Sequence, residues 1–215
     1  DYFEWFVDLC QTADPEAIQP LYGLHGEADL EERELEHLDG YRGSRPVRVG
    51  NEAAQQRQLD IYGELLLAVD EMCQRGRALN DDEWVRIRDI VDYVCDVWDE
   101  PDAGIWEVRG GNEHFVYSKV MCWVALDRGI ELARARDRDA PLAGWLETRE
   151  QIRADVLENG YDEEIGAFVQ SYGTNVLDAT ALLLPVVGFL PFDDERIQGT
   201  IDAIDERLVT DDIFV

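Results

Sequence analysis

Between Val120 and Leu126 the chain reads Val-Met-Cys-Trp-Val-Ala-Leu, apolar at every position. The run lies in a stretch, Glu113 to about Arg136, whose spacing predicts a helix. A helix apolar on every side is stable in water only if neighbours cover its whole girth. The rest of the chain must therefore wrap this segment, and its remaining patterns supply helices to do so.

Tyr2, Phe6 and Leu9, with Phe3, Val7 and Cys10 beside them, predict a short amphipathic helix ending near Asp14-Pro15. Asn51 to about Arg77 predicts a long helix with two apolar stripes: Leu59, Tyr62, Leu66, Val69 and Cys73, then Ile61, Leu65, Ala68 and Met72. Asn80-Asp81-Asp82-Glu83 has capping-box spacing. It opens a helix with Trp84, Ile87, Val91, Val94 and Trp98 on one face, ending before Pro101. Pro141 suits the first turn of a helix striped by Trp145, Ile152 and Val156 and stopped at Asn159-Gly160. Leu177 to Val187 predicts a short buried helix ended or kinked by Pro185, and Ile197, Ile201, Ile204 and Leu208 predict a last one. Pro15 to Gly50 and Tyr161 to Tyr172 read as irregular loops, and no alternating strand pattern occurs. Consecutive helices with long loops at intervals fit paired helices, as a solenoid or a closed α/α toroid. The lack of a fixed-period repeat disfavours the solenoid.

Asp and Glu total 48 against 19 Lys and Arg, a formal net charge of −29. Such a surface repels phosphate backbones, so nucleic acid is excluded as a partner. Its self-repulsion is relieved by salt, which makes a halophilic origin the expectation and an acidic mesophile the alternative. No apolar run reaches the ~20 residues of a membrane helix, so no membrane partner is expected. The opening Asp1-Tyr2-Phe3-Glu4 lacks the basic start of a secretory signal, so a cytoplasmic location is expected. With no initiator Met and a start inside a helical pattern, the chain is expected to be a fragment or a processed product. Cys10, Cys73, Cys95 and Cys122 form no CxxC and sit in apolar helical settings, as free core thiols do. His25, His37 and His114 show no HExxH spacing, so neither a metal nor a cofactor is expected.

Two stretches carry candidate chemistry. Gly104-Ile105-Trp106-Glu107-Val108-Arg109-Gly110-Gly111 lies between two helical segments and presents an indole, a carboxylate and a guanidinium within four residues. Glycines at its ends permit close approach of a ligand. A solvated connection with a Trp plug would look the same. Tyr41 to Asn51 gathers Arg42, Arg45 and Arg48 in a very acidic chain. These arginines suit either a polar ligand or the neighbouring acids.

Both stretches resemble glycoside hydrolase family 15, the family of glucoamylases, glucodextranases and some microbial trehalases. The resemblance rests on Leu21-Tyr22-Gly23, on Gly40 to Asn51, on Gln58-Leu59-Asp60-Ile61-Tyr62-Gly63-Glu64, and on Gly104 to Arg109. Phe115 to Trp123, Gly160-Tyr161-Asp162 and Asp178-Ala179 complete it. It implies an all-α fold, part of an (α/α)6 barrel, with residues 1–215 forming one partial catalytic domain truncated at both ends. It implies an inverting glycosidase in which Glu107 is the general acid and the general base lies beyond this chain. Trp106, Arg109, Arg45, Arg48 and Asn51 are then the expected substrate contacts, with an α-glucan or disaccharide as substrate. The first expectation is release of glucose from α-glucans (glucan 1,4-α-glucosidase). Many glucoamylases carry two adjacent acidic residues at the Trp-Glu motif and a Trp in the loop matching Gly43 to Pro46. Here Val108 follows Glu107 and the loop carries arginines. That departure keeps α,α-trehalase as the alternative, and a non-catalytic toroid module remains a further one.

Overall fold

The structure, a computed structural model, describes residues 14–108, 110–210 and 213–214. The expected helix over Tyr2 to Cys10, and Arg109, lie outside the described residues. The chain forms two compact units, residues 1–58 and 59–215. The fold class is all-α, as expected for part of an (α/α)6 barrel.

The described part of the first unit is mostly irregular. A two-residue antiparallel pair, β1 (Arg33–Glu34) with β2 (Arg48–Val49), ties its loop together in the register Arg33↔Val49 and Glu34↔Arg48. The long helix expected from Asn51 does not begin there. The Asn51 side chain instead accepts the Ala53 N–H at 3.0 Å and caps a 3-10 turn, Glu52–Gln55, after which Gln56 is extended. A side chain that satisfies a nearby backbone N–H competes with helix propagation, which is why Asn works better at caps than inside helices.

The second unit holds five α-helices among the described residues: α1 (Asp60–Gln74), α2 (Asp81–Val97), α3 (Val116–Ala135), α4 (Leu142–Asn159) and α5 (Glu195–Leu208). Helix α3 is buried from Val116 to Leu126 without a break. It packs chiefly on α1 and α4, and also on α2. Each fully buried Val, Leu or Met contributes roughly 1.5–3 kcal/mol relative to exposure, so this segment anchors the core. Helix α1 comes close to α3 at Gly63, where an added Cβ would stand 2.3 Å from the Met121 carbonyl oxygen.

Helix α1 buries one expected stripe, Tyr62, Leu66, Val69 and Cys73, together with Leu65. The second stripe is not buried as a whole: Ala68 is exposed, and Ile61 and Met72 are half-buried. Helix α2 opens with the expected capping box. Glu83 N–H donates to Asn80 Oδ1 and Asn80 N–H to Glu83 Oε2, both at 2.9 Å. Helix α4 buries the expected Trp145, Ile152 and Val156, and the Trp145 indole donates to Asp92 Oδ1 at 2.6 Å. Pro141 stands one residue ahead of α4 and not in its first turn.

The expected helix over Leu177–Val187 is a 3-10 segment, Ala179–Leu183. Pro185 has no N–H to extend a helical ladder, and the chain turns at Gly188 instead. The loop after α4 contains a short antiparallel pair, β3 (Tyr161–Asp162) with β4 (Ala167–Phe168). The α5 hydroxyl of Thr200 accepts the Phe168 N–H at 2.9 Å, docking that pair onto α5. A last pair, β5 (Val209–Thr210) with β6 (Ile213–Phe214), follows α5. Cys73, Cys95 and Cys122 are free thiols; Cys10 lies outside the described residues. Among the described residues no helix is long and apolar enough to cross a membrane.

Candidate active site

The loop that carries Trp106 and Glu107 is closed at its base by backbone bonds. Asp102 N–H donates to Glu113 O at 3.0 Å, and Glu113 N–H to Asp102 O at 2.9 Å. The Asp102 carboxylate also holds the surrounding helices. Its Oδ2 accepts the Leu59 N–H at 2.9 Å and the Ser118 hydroxyl at 2.8 Å. Leu59 is the N-cap of α1 and has no capping side chain of its own, so a distant carboxylate does that work. Asp102 is fully buried, and burial, the largest effect, pushes its carboxyl pKa up despite these donors.

Asp60, next in the chain to Leu59, is also buried, and its Oδ1 has no hydrogen-bond partner among the described residues. Burial first, then the charges of Asp102 and Glu64, push its pKa up to about 7. Glu64 accepts the Tyr117 hydroxyl at 2.6 Å. Lys119 is fully buried and donates to Trp98 O at 2.6 Å and Glu100 O at 2.5 Å. It thereby occupies carbonyls at the C-terminal end of α2, where the helix dipole favours a cation.

Within the loop, Gly104 has φ 67 and lies against Phe115; a Cβ there would stand 2.7 Å from the ring. Glu107 donates its N–H to Gly104 O at 3.3 Å, closing a tight turn. Glu107 itself has φ 52, a left-handed conformation that is uncommon for a residue with a Cβ. Such conformations cost of order 1–3 kcal/mol and persist where surrounding contacts impose them, often at functional sites. The turn leaves Glu107 half-buried and Trp106 58 % exposed.

A second loop runs beside the first. Phe115 pairs with Ser171, Val116 N–H donates to Gln170 O at 2.9 Å, and Tyr172 N–H donates to His114 O at 3.0 Å. The His114 and Tyr172 rings stack 5.8 Å apart. This pairing brings Gln170 and Asp178 to Trp106. The indole N–H of Trp106 donates to Asp178 Oδ2 at 2.7 Å, and the Gln170 amide donates to the same oxygen at 3.0 Å.

Of the expected site residues, the structure brings Trp106 and Glu107 together on one turn, and Arg109 lies outside the described residues. Arg45, Arg48 and Asn51 belong to the first unit. There Arg45 pairs with Asp39, and Arg48 lies 3.2 Å from Glu32 and 3.5 Å from Glu34. Asn51 uses its side chain as a cap. Sequence reasoning gave Asp102, Asp60, Gln170 and Asp178 no role. In the sequence Asp102 is marked only by its place just ahead of Gly104, and its burial appears only in the structure. No spacing links residue 178 to residue 106.

The model of the family described as glycosyl hydrolases family 15 matches residues 1–215. A trehalase of Mycolicibacterium smegmatis is 42 % identical over 217 residues, covering 100 % of this chain and 32 % of that protein. A trehalase of Thermoplasma volcanium is 39 % identical over 194 residues, covering 90 % of this chain and 31 % of that protein. Trehalase 1 of Sulfolobus acidocaldarius is 37 % identical over 202 residues, covering 93 % and 34 %. The chain thus spans about a third of the length of the curated relatives it matches.

Proposed function

Because the chain belongs to glycosyl hydrolases family 15, we propose that it is part of an α,α-trehalase that hydrolyses trehalose with inversion at one anomeric carbon. The observation that carries this reading is that relatives 37–42 % identical across nearly the whole chain are named trehalases. That favours the disaccharide over the α-glucan that headed the sequence reading. Val108, standing where many glucoamylases have a second acid, points the same way.

Glu107 is the general acid. It gives its proton to the oxygen that joins the two glucose units. A second carboxylate, supplied by residues outside 1–215, takes a proton from water as that water attacks the anomeric carbon from the opposite face. The attacked unit leaves as β-glucose and the departing unit remains α-glucose. The left-handed turn at Glu107 supports this role, since such strained backbone persists chiefly where function imposes it. Trp106 supplies an apolar wall beside it. Arg109, Arg45, Arg48 and Asn51 remain proposed contacts to sugar hydroxyls, for which the forked guanidinium is well suited.

The test uses the complete protein on trehalose, maltose and maltooligosaccharides. Trehalose is expected to be the preferred substrate, with α- and β-glucose released in equal amounts in the first turnovers. Glu107→Gln keeps the shape and removes the transferable proton, so kcat should fall by about 10²–10⁴-fold while the melting temperature stays close to wild type. A Gln variant of near wild-type rate on all three substrates would remove the acid assignment. Preference for maltooligosaccharides would restore the glucoamylase reading.

A further inference from the structure

We propose that Asp178 is a positioning residue that locks the Trp106 indole as a platform for one glucose ring of the substrate beside Glu107. The proposal rests on the hydrolase reading above. Asp178 is nearly buried at 7 % exposure, whereas the indole it holds is 58 % exposed. A large aromatic side chain left that open would ordinarily sample several rotamers. Here its N–H is fixed at 2.7 Å by a carboxylate that is itself held twice more. Gln170 donates to the same Oδ2 at 3.0 Å, and Thr180 N–H donates to Oδ1 at 2.8 Å. The carboxylate therefore cannot swing away, and neither can the indole edge bonded to it.

This arrangement leaves the apolar faces of the ring available while its only polar atom is satisfied inside the protein. A sugar ring presents an apolar C–H face that stacks on such a surface, and a ring fixed in advance loses little rotamer freedom on binding. Trp106 and Glu107 are adjacent and share one turn. Fixing the indole therefore also fixes the side from which the sugar reaches the carboxyl. A cap for the 3-10 segment Ala179–Leu183 needs only the Oδ1 bond to Thr180. The Oδ2 bonds to Trp106 and Gln170 exceed that need.

The two roles are separable in the complete protein. Asp178→Ser keeps an oxygen able to cap Thr180 but is too short to reach the indole. Its expected effect is a rise of about tenfold in KM for trehalose with kcat within about threefold, because the lost interaction serves binding before chemistry. In a Trp106→Phe background the same change should move KM by less than about twofold, as required of two residues acting through one contact. Equal KM increases in both backgrounds would overturn the proposal and leave Asp178 a simple cap. The indole N–H resonance of Trp106, identified as the one lost in Trp106→Phe, gives a readout independent of turnover. It should shift upfield in Asp178→Ser and exchange with solvent about tenfold faster; an unmoved resonance would also overturn the proposal. If Asp178→Ser does not fold, Asp178→Asn replaces it, with the same resonance shift expected because one carboxylate oxygen becomes a donor. A wild-type protein that hydrolyses no α-glucoside while the resonance shifts as expected would overturn the hydrolase reading, and the platform with it, without touching the Asp178–Trp106 bond.

Discussion

Asp60 is a buried carboxyl whose protonation state bears on stability. It has a folded pKa of about 7 against an ordinary 3.8. Below the unfolded value both states are protonated and its contribution is fully present. Between the two values only the folded state keeps the proton, so stability falls as pH rises and the loss is complete above about 7. The size of that loss is on the order of 4 kcal/mol. Burial is the largest cause of the raised pKa, and the charges of Asp102 and then Glu64 add to it. Asn imitates the protonated acid, so Asp60→Asn should gain on wild type between about pH 4 and pH 7 in denaturant unfolding and level off above that. A stability difference that does not change with pH would show that Asp60 is already ionised in the fold. Residues of this kind are hard to read from sequence. Glu107 stands out in the sequence as a candidate only through the family resemblance of Gly104 to Arg109. Asp60 and Asp178 acquire their character from groups far along the chain, Asp102 and Trp106, and no local pattern encodes that.

At the scale of elements, a tight constraint is the contact of α1 with α3 at Gly63. Alanine is the better helix former by about 1 kcal/mol, so an isolated α1 would gain from Gly63→Ala. In the fold the new methyl would stand 2.3 Å from the Met121 carbonyl, on a segment of α3 that is buried all round. The expected result is a net loss of about 1–3 kcal/mol in chemical denaturation. An equal or raised stability would mean that α1 can move away from α3. The helices themselves were largely legible. The all-apolar run of α3, the capping box of α2 and the stripe of α4 each follow from spacing. The misreadings share one physical cause. At Asn51 and Leu177, apolar spacing continued while backbone bonding did not. Asn51 caps a short turn, and Leu59 N–H is taken by Asp102 43 residues away, so α1 starts at Asp60. Hydrophobic period reports which face is buried, but where a helix begins depends on who accepts its first N–H groups.

Across the whole molecule, charge and composition dominate. A net −29 on 215 residues places many carboxylates within reach of one another. Repulsion among exposed acids is screened once the Debye length shrinks to ~3 Å near 1 M salt. The melting temperature of the complete protein should therefore climb between 0.05 and 3 M KCl, and a flat profile would remove the halophilic expectation. The cations are nearly all arginine, and several serve as fasteners between distant segments. Arg128 donates to Val187 O at 2.9 Å, Arg138 to Leu79 O at 2.7 Å, and Arg153 to Phe189 O at 2.7 Å. The single lysine of the sequence, Lys119, is sealed inside with both its contacts on backbone carbonyls. The folded chain consequently offers no side-chain amine to an acylating reagent. Labelling of that ε-amine can proceed only through openings that release α3 from the end of α2. Its rate therefore reports how often the core opens around that amine.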